Sequence, residues 1–385
     1  MIYVHVPFCR SFCTYCDFYS EVAGRCRKAE DVQKQEALFE DFAQALACEV
    51  RARAGEITDD VNTLYIGGGT PSVLPLSAFK TLLAVLDSVG HSGPFEEFTV
   101  EVNPEDIVDK GQAYVEGLLE LGVNRISMGV QSFDDSVLKF MNRRHDSATA
   151  RKAYAIMEDA GVKNISIDLI FGLPQLSSSQ WSETLNRALD ISSRGILPQH
   201  ISSYQLSVEP GSMLARLVEK GSWSEASEDL CQDQYSALCS VLASAGYHHY
   251  EISNFAQPGF EALHNSAYWR HVPYVGLGPG AHSFLPSVRK WNRPDLQSYL
   301  AAAQGGDFTS VQEGETLDAD QLTLERIMLG LRTSNGLPES YLRANCDPSA
   351  LSRALAAGHL VCVGPNLRIP ESNFFISDSI ISALV

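Results

Sequence analysis

Residues 2–16 read Ile2-Tyr3-Val4-His5-Val6-Pro7-Phe8-Cys9-Arg10-Ser11-Phe12-Cys13-Thr14-Tyr15-Cys16, a strand-like run followed by a C-x3-C-x2-C loop. Branched and aromatic residues such as those in the first five positions are typical of a strand. Thiolates bind iron well, and spacings this short let one loop wrap a cubane cluster. Zinc is the main competitor, but a structural zinc site needs four ligands and no second C-x2-C or H-x3-H pair follows at suitable spacing. The stretch predicts a [4Fe–4S] cluster on Cys9, Cys13 and Cys16, with one iron free of protein ligands.

Strand-like and helix-like stretches alternate through roughly the first 210 residues. The strand-like runs are Ile2–Val6, Thr63–Ile66, Phe98–Val102, Arg125–Gly129, Ile165–Phe171 and Ile201–Leu206. The helix-patterned stretches between them are Ala37–Arg53, Ser77–Ser88, Asp109–Leu121, Ala148–Ala160 and Ser179–Ser192. This alternation predicts βαβ units and a parallel sheet. Right-handed crossovers would form either an open barrel or a doubly wound sheet.

Polar or glycine-containing turns follow nearly every one of these strands. They are the cysteine loop, Gly67–Thr70, Asn103-Pro104, Gln131-Ser132 and Gly172–Pro174. In barrel enzymes the carboxyl ends of the strands carry the active site. The pattern therefore favours an α/β fold, a partial (β/α)6 TIM-like barrel over residues 1–210.

The pattern changes after residue 210. Residues 211–305 contain one further strand-like run, Tyr247–Ser253, and an aromatic and glycine-rich loop, and are predicted to extend the barrel. Residues 306–385 resemble helices closed by a hairpin, which suggests a winged-helix-like cap. Such modules often bind DNA, but residues 310–385 carry nine acidic and five basic side chains, so a structural or protein-contacting role is favoured.

Composition limits the location and the partners. The chain has 385 residues and a net charge of −18, which disfavours nucleic acid as a partner. No apolar run is long enough to span a bilayer, and the N-terminus shows no signal peptide, although peripheral membrane docking stays open. Nine cysteines without secretory features indicate a reducing cytoplasm. The remaining cysteines are predicted to be buried and inert, namely Cys26, Cys48, Cys231, Cys239, Cys346 and Cys362.

The motif Tyr3-x-His5-x-Pro7-Phe8-Cys9-x3-Cys13-x-Tyr15-Cys16 resembles the radical S-adenosylmethionine (radical SAM) superfamily. Within it, the chain is similar to the branch of oxygen-independent coproporphyrinogen III oxidases and HemW haem chaperones. The resemblance spans nearly the whole chain. It implies the partial barrel, the C-terminal cap and S-adenosylmethionine bound at the open iron.

The resemblance also implies which residues contact S-adenosylmethionine. Gly68, Gly69 and Thr70 lie in a glycine-rich loop, for which a simple tight turn is the alternative interpretation. Glu101 and Asp168 are carboxylates within hydrophobic strands, where an unpaired charge is costly. The complete predicted set is Tyr3, Tyr15, Gly68, Gly69, Thr70, Glu101, Gln131, Arg143 and Asp168.

Two features separate the members of this branch. Phe18 stands where the oxidases carry a fourth cysteine, and only eight residues precede Cys9, whereas the oxidases have an N-terminal extension. The segment Leu263-His-Asn-Ser-Ala-Tyr-Trp269 matches an H-N-x-x-Y-W motif of HemW-like proteins. Neutral imidazole is a good haem ligand and aromatic rings can face a porphyrin, so His264, Tyr268 and Trp269 are predicted haem contacts. The alternative is a hydrogen-bonded histidine with aromatic rings packed on the core.

The sequence therefore predicts a haem chaperone that passes haem to an acceptor protein, with a respiratory protein as one candidate. A carrier role is favoured over enzymatic activity. The first alternative is a coproporphyrinogen III oxidase-like radical enzyme. The second, an RNA-modifying enzyme, is disfavoured because no basic patch or RNA-binding module is evident.

Overall fold

The computed structural model describes residues 1–23, 29–58 and 61–385. Six parallel strands lie side by side in chain order, as predicted. They are β1 (Ile2–Val6), β2 (Thr63–Gly68), β3 (Glu97–Val102), β4 (Arg125–Gln131), β5 (Ile165–Phe171) and β6 (His200–Gln205). The α/β barrel fold is thereby confirmed.

Three shorter strands extend this sheet at its two edges. They are β7 (His248–Glu251), β8 (Asn254–Ala256) and β9 (Val275–Leu277). The spatial order is β9-β1-β2-β3-β4-β5-β6-β8-β7, with β9 parallel to β1 and β8 antiparallel to β6. The strand predicted over Tyr247–Ser253 is present as β7. The strands β8 and β9 were not predicted, because three residues cannot establish an alternating pattern.

Nine helices in the described part of residues 1–250 pack around the sheet. They are α1 (Ala29–Arg53), α2 (Leu76–Ser88), α3 (Pro104–Lys110), α4 (Gln112–Glu120), α5 (Asp135–Phe140), α6 (Ser147–Ala160), α7 (Ser178–Leu189), α8 (Met213–Glu219) and α9 (Glu228–Ser244). The helix predicted over Asp109–Leu121 corresponds to α4, and only its first two residues belong to the separate helix α3. Gly111 adopts φ +72° between α3 and α4, a left-handed conformation that interrupts the helix.

Side chains alternate along the strands between a core and a cavity. On β4, Ile126, Met128 and Val130 are buried in the apolar core that the helices share. The intervening residues Arg125, Ser127, Gly129 and Gln131 line an internal cavity of about 760 Å³. A period of two is expected for side chains along a strand. Here most of the inward side chains are polar, and the cavity that they line is large enough for a small-molecule ligand.

The remainder of the chain adds two helices, a small sheet and the C-terminal cap, which contains a second small sheet. The elements are α10 (Leu263–Trp269), β10 (His282–Leu285), β11 (Val288–Asn292), α11 (Leu296–Gly305), β12 (Gln312–Thr316), α12 (Ala319–Gly330), β13 (Leu337–Pro338), α13 (Glu339–Asn345), α14 (Pro348–Ala356), β14 (Val361–Val363), β15 (Asn366–Arg368) and α15 (Ser377–Ser382). The predicted hairpin and final helix of the cap are present. The domain boundaries at 210 and 305 stay predictions, and β12 pairs with β11 across the second of them.

In the described part of the chain, none of the helices combines the length and apolar character needed to cross a bilayer.

Candidate functional site

The cysteine loop follows β1 and lies over the carboxyl end of the barrel. Cys9, Cys13 and Cys16 are all half-buried and line the same cavity. The backbone of Thr14 anchors the loop, because its amide donates to the carbonyl of Met141 at 3.1 Å and its carbonyl accepts from the amide of Leu214 at 2.9 Å. These contacts connect the loop to the end of α5 and to the start of α8, which lie far apart in the sequence.

A histidine on β1 fixes the other end of the loop. His5 Nε2 donates to the carbonyl oxygen of Tyr19 at 2.7 Å, since a carbonyl can only accept. Its Nδ1 then accepts from the hydroxyl of Tyr3 at 3.1 Å. His5 therefore connects a predicted cofactor residue to the segment that follows the cysteines.

The three cysteines fit a cluster better than a mononuclear metal site. Among the described residues, no three His, Cys, Asp or Glu side chains converge on a point that would hold one metal ion. A cubane binds each thiolate at a different iron, so its ligands need not converge. Burial raises the pKa of Cys9, and it raises that of Cys16 to about 12. Metal binding at these thiols would consequently release protons.

Four hydrogen bonds connect two of the cysteines around the rim of the cavity. The Cys9 Sγ and Thr70 Oγ1 atoms are 3.4 Å apart, and Asn103 Nδ2 donates to that hydroxyl at 3.2 Å. Arg143 Nη2 donates to Asn103 Oδ1 at 2.7 Å, and its Nη1 donates to Cys13 Sγ at 3.4 Å. Groups that bond to cluster ligands in this way tune a metal site.

The glycine-rich loop after β2 is closely packed on the cysteine loop. A Cβ on Gly69 would lie 2.7 Å from the carbonyl oxygen of Phe8 and 3.1 Å from Cys9 Sγ. Gly68 has φ +104°, and its amide donates to Glu101 Oε2 at 3.2 Å. The loop is therefore more than a simple turn, because its glycines allow the backbone to approach both the cysteines and a carboxylate.

Two half-buried carboxylates face the cavity below the loop. Glu101 accepts from the Tyr65 hydroxyl at 2.6 Å, and burial raises its pKa to about 7. Asp168 accepts from Ser127 Oγ at 3.2 Å, and burial likewise raises its pKa. Both groups are poised to interact with a cation or with hydroxyl groups of a ligand.

All nine residues predicted to contact S-adenosylmethionine line this one cavity together with the three cysteines. Gln131 reaches it from a bulge in β4, where its φ is 68°. The structure thus brings the predicted set together in one cavity, and their individual roles stay predictions.

The H-N-x-x-Y-W segment forms α10 and closes the opposite end of the cavity. His264 is 1% exposed. Its Nδ1 lies 2.8 Å from Thr63 Oγ1, and its Nε2 lies 2.9 Å from the Tyr268 hydroxyl. Trp269 is half-buried and does not line the cavity. Neither imidazole nitrogen is available to iron in this conformation, so haem ligation by His264 requires α10 or Tyr268 to rearrange and stays a prediction.

Several residues that line the cavity were not singled out from the sequence. They are Tyr65, Asn103, Arg125, Ser127, His200, Ser202 and Tyr204. Their signal was the recurrence of polar residues at every second position of otherwise hydrophobic strands. Among the other cysteines, Cys231 and Cys346 are buried as predicted. Cys48 and Cys239 are only half-buried and Cys362 is exposed, which corrects the prediction for these three. Cys26 lies outside the described residues.

This combination of a parallel partial barrel and a three-cysteine loop is that of a radical SAM protein. Residues 3–188 match the radical SAM superfamily. The fold is similar to that of coproporphyrinogen III oxidase (HemN) from Escherichia coli, with a TM-score of 0.79, 21% identity, and coverage of 99% of this chain and 89% of that one.

Curated relatives define the family more narrowly. The chain is 33% identical to the haem chaperone HemW of Synechocystis over 88% of this chain and 79% of that protein. It is 31% identical to the haem chaperone HemW of Mycobacterium tuberculosis over 100% of this chain and 94% of that protein. The chain belongs to the HemW family of the radical SAM superfamily. Membership of the superfamily implies a [4Fe–4S] cluster and S-adenosylmethionine.

Proposed function

We propose that this protein is a haem chaperone, which binds haem and transfers it to an acceptor protein in the cytoplasm. The observation that carries the proposal is the similarity to proteins named haem chaperones over most of both chains. A respiratory protein is one candidate acceptor.

In this proposal, Cys9, Cys13 and Cys16 hold the [4Fe–4S] cluster, and S-adenosylmethionine occupies the cavity beside it. When bound, this pair supplies one-electron reductive chemistry or serves as a structural element. Arg143 lies at the cysteine rim, where it can pair with the cofactor's carboxylate. Glu101 and Asp168 lie deeper, where they can bind its amino group or ribose hydroxyls, and Gln131 can bind the ribose. The remaining predicted contacts are Tyr3, Tyr15, Gly68, Gly69 and Thr70.

The residue at position 18 supports a carrier over an oxidase. Phe18 is 62% exposed and lines the mouth of the cavity beside Cys16. An apolar ring here cannot provide the thiol that the oxidases have at this position. It offers a flat surface to a large apolar ligand entering the mouth.

The haem contacts His264, Tyr268 and Trp269 form part of the proposal with one structural condition. Nε2 of His264 must separate from the Tyr268 hydroxyl before it can bind iron. Haem binding at this position therefore requires either Tyr268 or the whole of α10 to move.

The test uses anaerobically reconstituted protein that contains cluster and S-adenosylmethionine. Saturable haem binding and haem transfer to apomyoglobin, with no consumption of coproporphyrinogen III, support the chaperone. Oxidation of coproporphyrinogen with release of 5′-deoxyadenosine would instead establish the oxidase alternative. Comparison of His264→Ala with His248→Ala, a change at an exposed histidine, tests the ligand. An unchanged haem spectrum and affinity in His264→Ala would remove His264 from the proposal.

A further inference from the structure

The cavity continues below the proposed cofactor residues to the amino ends of the strands. We call this end the floor chamber, lined by Tyr65, Arg125, His200 and His264. Arg125 and Gln131 are the first and last residues of β4. Strand residues rise by about 3.3 Å each, so the two lie about 20 Å apart along the barrel. The floor chamber is thus remote from the cysteine rim.

Arg125 is an unusual residue for such a position because it lacks an ion pair. Its side chain is 3% exposed, yet among the described residues no carboxylate lies within 4.0 Å of its guanidinium. Its recorded partner is His200 Nδ1, 3.3 Å from Nη2, and its buried Nε has no acceptor. A guanidinium has five N–H donors, so most of its hydrogen-bonding capacity is unused.

The neighbouring carboxylates are already bonded to other groups. Glu97 accepts from two backbone amides at the start of α10, at 2.7 and 3.2 Å. Glu101 accepts from a tyrosine hydroxyl and a glycine amide, and Asp168 accepts from a serine hydroxyl. Burial alone would lower the pKa of Arg125, but the field of the surrounding groups, Glu97 foremost, raises it, so this residue stays charged.

His200 accepts a hydrogen bond from Arg125 but supplies no negative charge to balance it. Its Nδ1 also lies 2.7 Å from Ser166 Oγ, and its Nε2 lies 2.8 Å from the Tyr250 hydroxyl. Burial lowers the pKa of His200, which keeps its ring neutral and able to accept from Arg125. The histidine holds the guanidinium in place and contributes no counter-charge.

The carboxylates near Arg125 keep it charged but do not bond to it, so most of its buried donors lack acceptors. A carboxylate is the group whose geometry matches this fork of donors. We propose that the floor chamber binds the carboxylate of an organic ligand through Arg125. The carboxylate is supplied either by a propionate of haem, which rests on the proposed function, or by a separate small organic acid. Arg125 is then a ligand-binding residue at the far end of the barrel from the cluster.

The first experiment changes the ligand and leaves the protein intact. Anaerobic titrations of the cluster-containing protein compare haem, haem dimethyl ester and succinate. If a propionate reaches Arg125, the diester binds roughly 10- to 100-fold more weakly than haem, the range expected of a charge-assisted hydrogen-bonded pair. If the ligand is a small organic acid, succinate should bind the protein directly. This outcome does not require haem to bind, so it tests the floor chamber independently of the chaperone function.

The second experiment assigns the effect to Arg125. Arg125→Gln should abolish the preference for haem over its diester, or the binding of succinate, and Arg125→Lys should restore part of it. Arg187→Gln is the matched control, because it removes a positive charge from α7 that does not line the cavity.

Two results would overturn the proposal. The first is that the unaltered protein binds haem and the diester equally well and does not bind succinate. This result does not depend on the folding of any variant. The other is a carboxylate preference that persists in Arg125→Gln. In either case Arg125 is a structural counter-charge to the buried carboxylates.

Discussion

The guanidinium of Arg143 bonds to Sγ of Cys13 across the mouth of the barrel, at 3.4 Å from Nη1. Its Nη2 donates at 2.7 Å to Asn103, which continues the chain of hydrogen bonds toward Cys9. The loops after β2 and β3 and the turn after α5 therefore meet at the cluster cysteines. Hydrogen bonds to thiolate ligands stabilise the more negative, reduced state of a cluster.

Asn103→Ala should make the reduction potential of the cluster more negative, because it removes the group that aligns Arg143 and Thr70 with the cysteines. An anaerobic redox titration followed by electron paramagnetic resonance measures the shift. Asn345→Ala, at an exposed position of α13, is the control. An unchanged potential in Asn103→Ala would show that these bonds do not act on the cluster.

Gly69→Ala should reduce iron incorporation and destabilise the fold by about 1–3 kcal/mol, the usual effect of overpacking. The added methyl would lie 2.7 Å from the Phe8 carbonyl and would displace the cysteine loop. Gly55→Ala is matched to it, because a Cβ there meets no atom within 4 Å. Iron analysis and urea unfolding should therefore distinguish the two variants, and equal results would argue against close packing of the loop.

S-adenosylmethionine binding should depend on the ionisation of Glu101. Burial raises the pKa of Glu101 to about 7, so its carboxylate is charged above that pH and protonated below it. If it binds a cationic group of the cofactor, affinity should fall by about tenfold between pH 8 and pH 6. Anaerobic equilibrium dialysis should show this slope in the unaltered protein and a flat profile in Glu101→Gln. If the affinity of Glu101→Gln falls with pH as steeply as that of the unaltered protein, Glu101 is not the titrating group.

His264 should make the fold sensitive to acid. Burial lowers its pKa to about 3, with the Met1 ammonium and the Arg125 guanidinium adding repulsion. Between pH 3 and 6.5 the unfolded chain binds a proton that the folded chain excludes, so stability falls as pH decreases below about 6.5. Between pH 6.5 and 5.5 the unaltered protein should lose about 1 kcal/mol more than His264→Gln. Urea unfolding of cluster-free protein measures this, and an equal loss in both would contradict the buried, neutral state.

The barrel was predictable because local patterns specify its strands. Ile165–Phe171 was predicted with the observed bounds of β5, since seven mostly hydrophobic residues lie between turn signals. The cysteine loop was predictable from spacing, which is also local. The break at Gly111 was missed because the helical pattern continues on both sides of it.

The placement of α10 was not predictable from its own sequence. From the sequence His264 could be a ligand, until its hydrogen-bond partners are known. One of them, Thr63, lies on a strand 201 positions earlier. The role of Arg125 depends equally on long-range packing. The inward direction of the Arg125 side chain, however, follows from its alternation with the core residue Ile126, so this part of its role could be predicted from the strand pattern.

The most direct test of the account is anaerobic reconstitution followed by iron and sulfide analysis and electron paramagnetic resonance with and without S-adenosylmethionine. The account predicts a reduced [4Fe–4S] signal that changes when S-adenosylmethionine is added and is lost when Cys13→Ser replaces a ligand. Stoichiometric zinc in place of iron, or a cluster signal unaffected by S-adenosylmethionine, would contradict it.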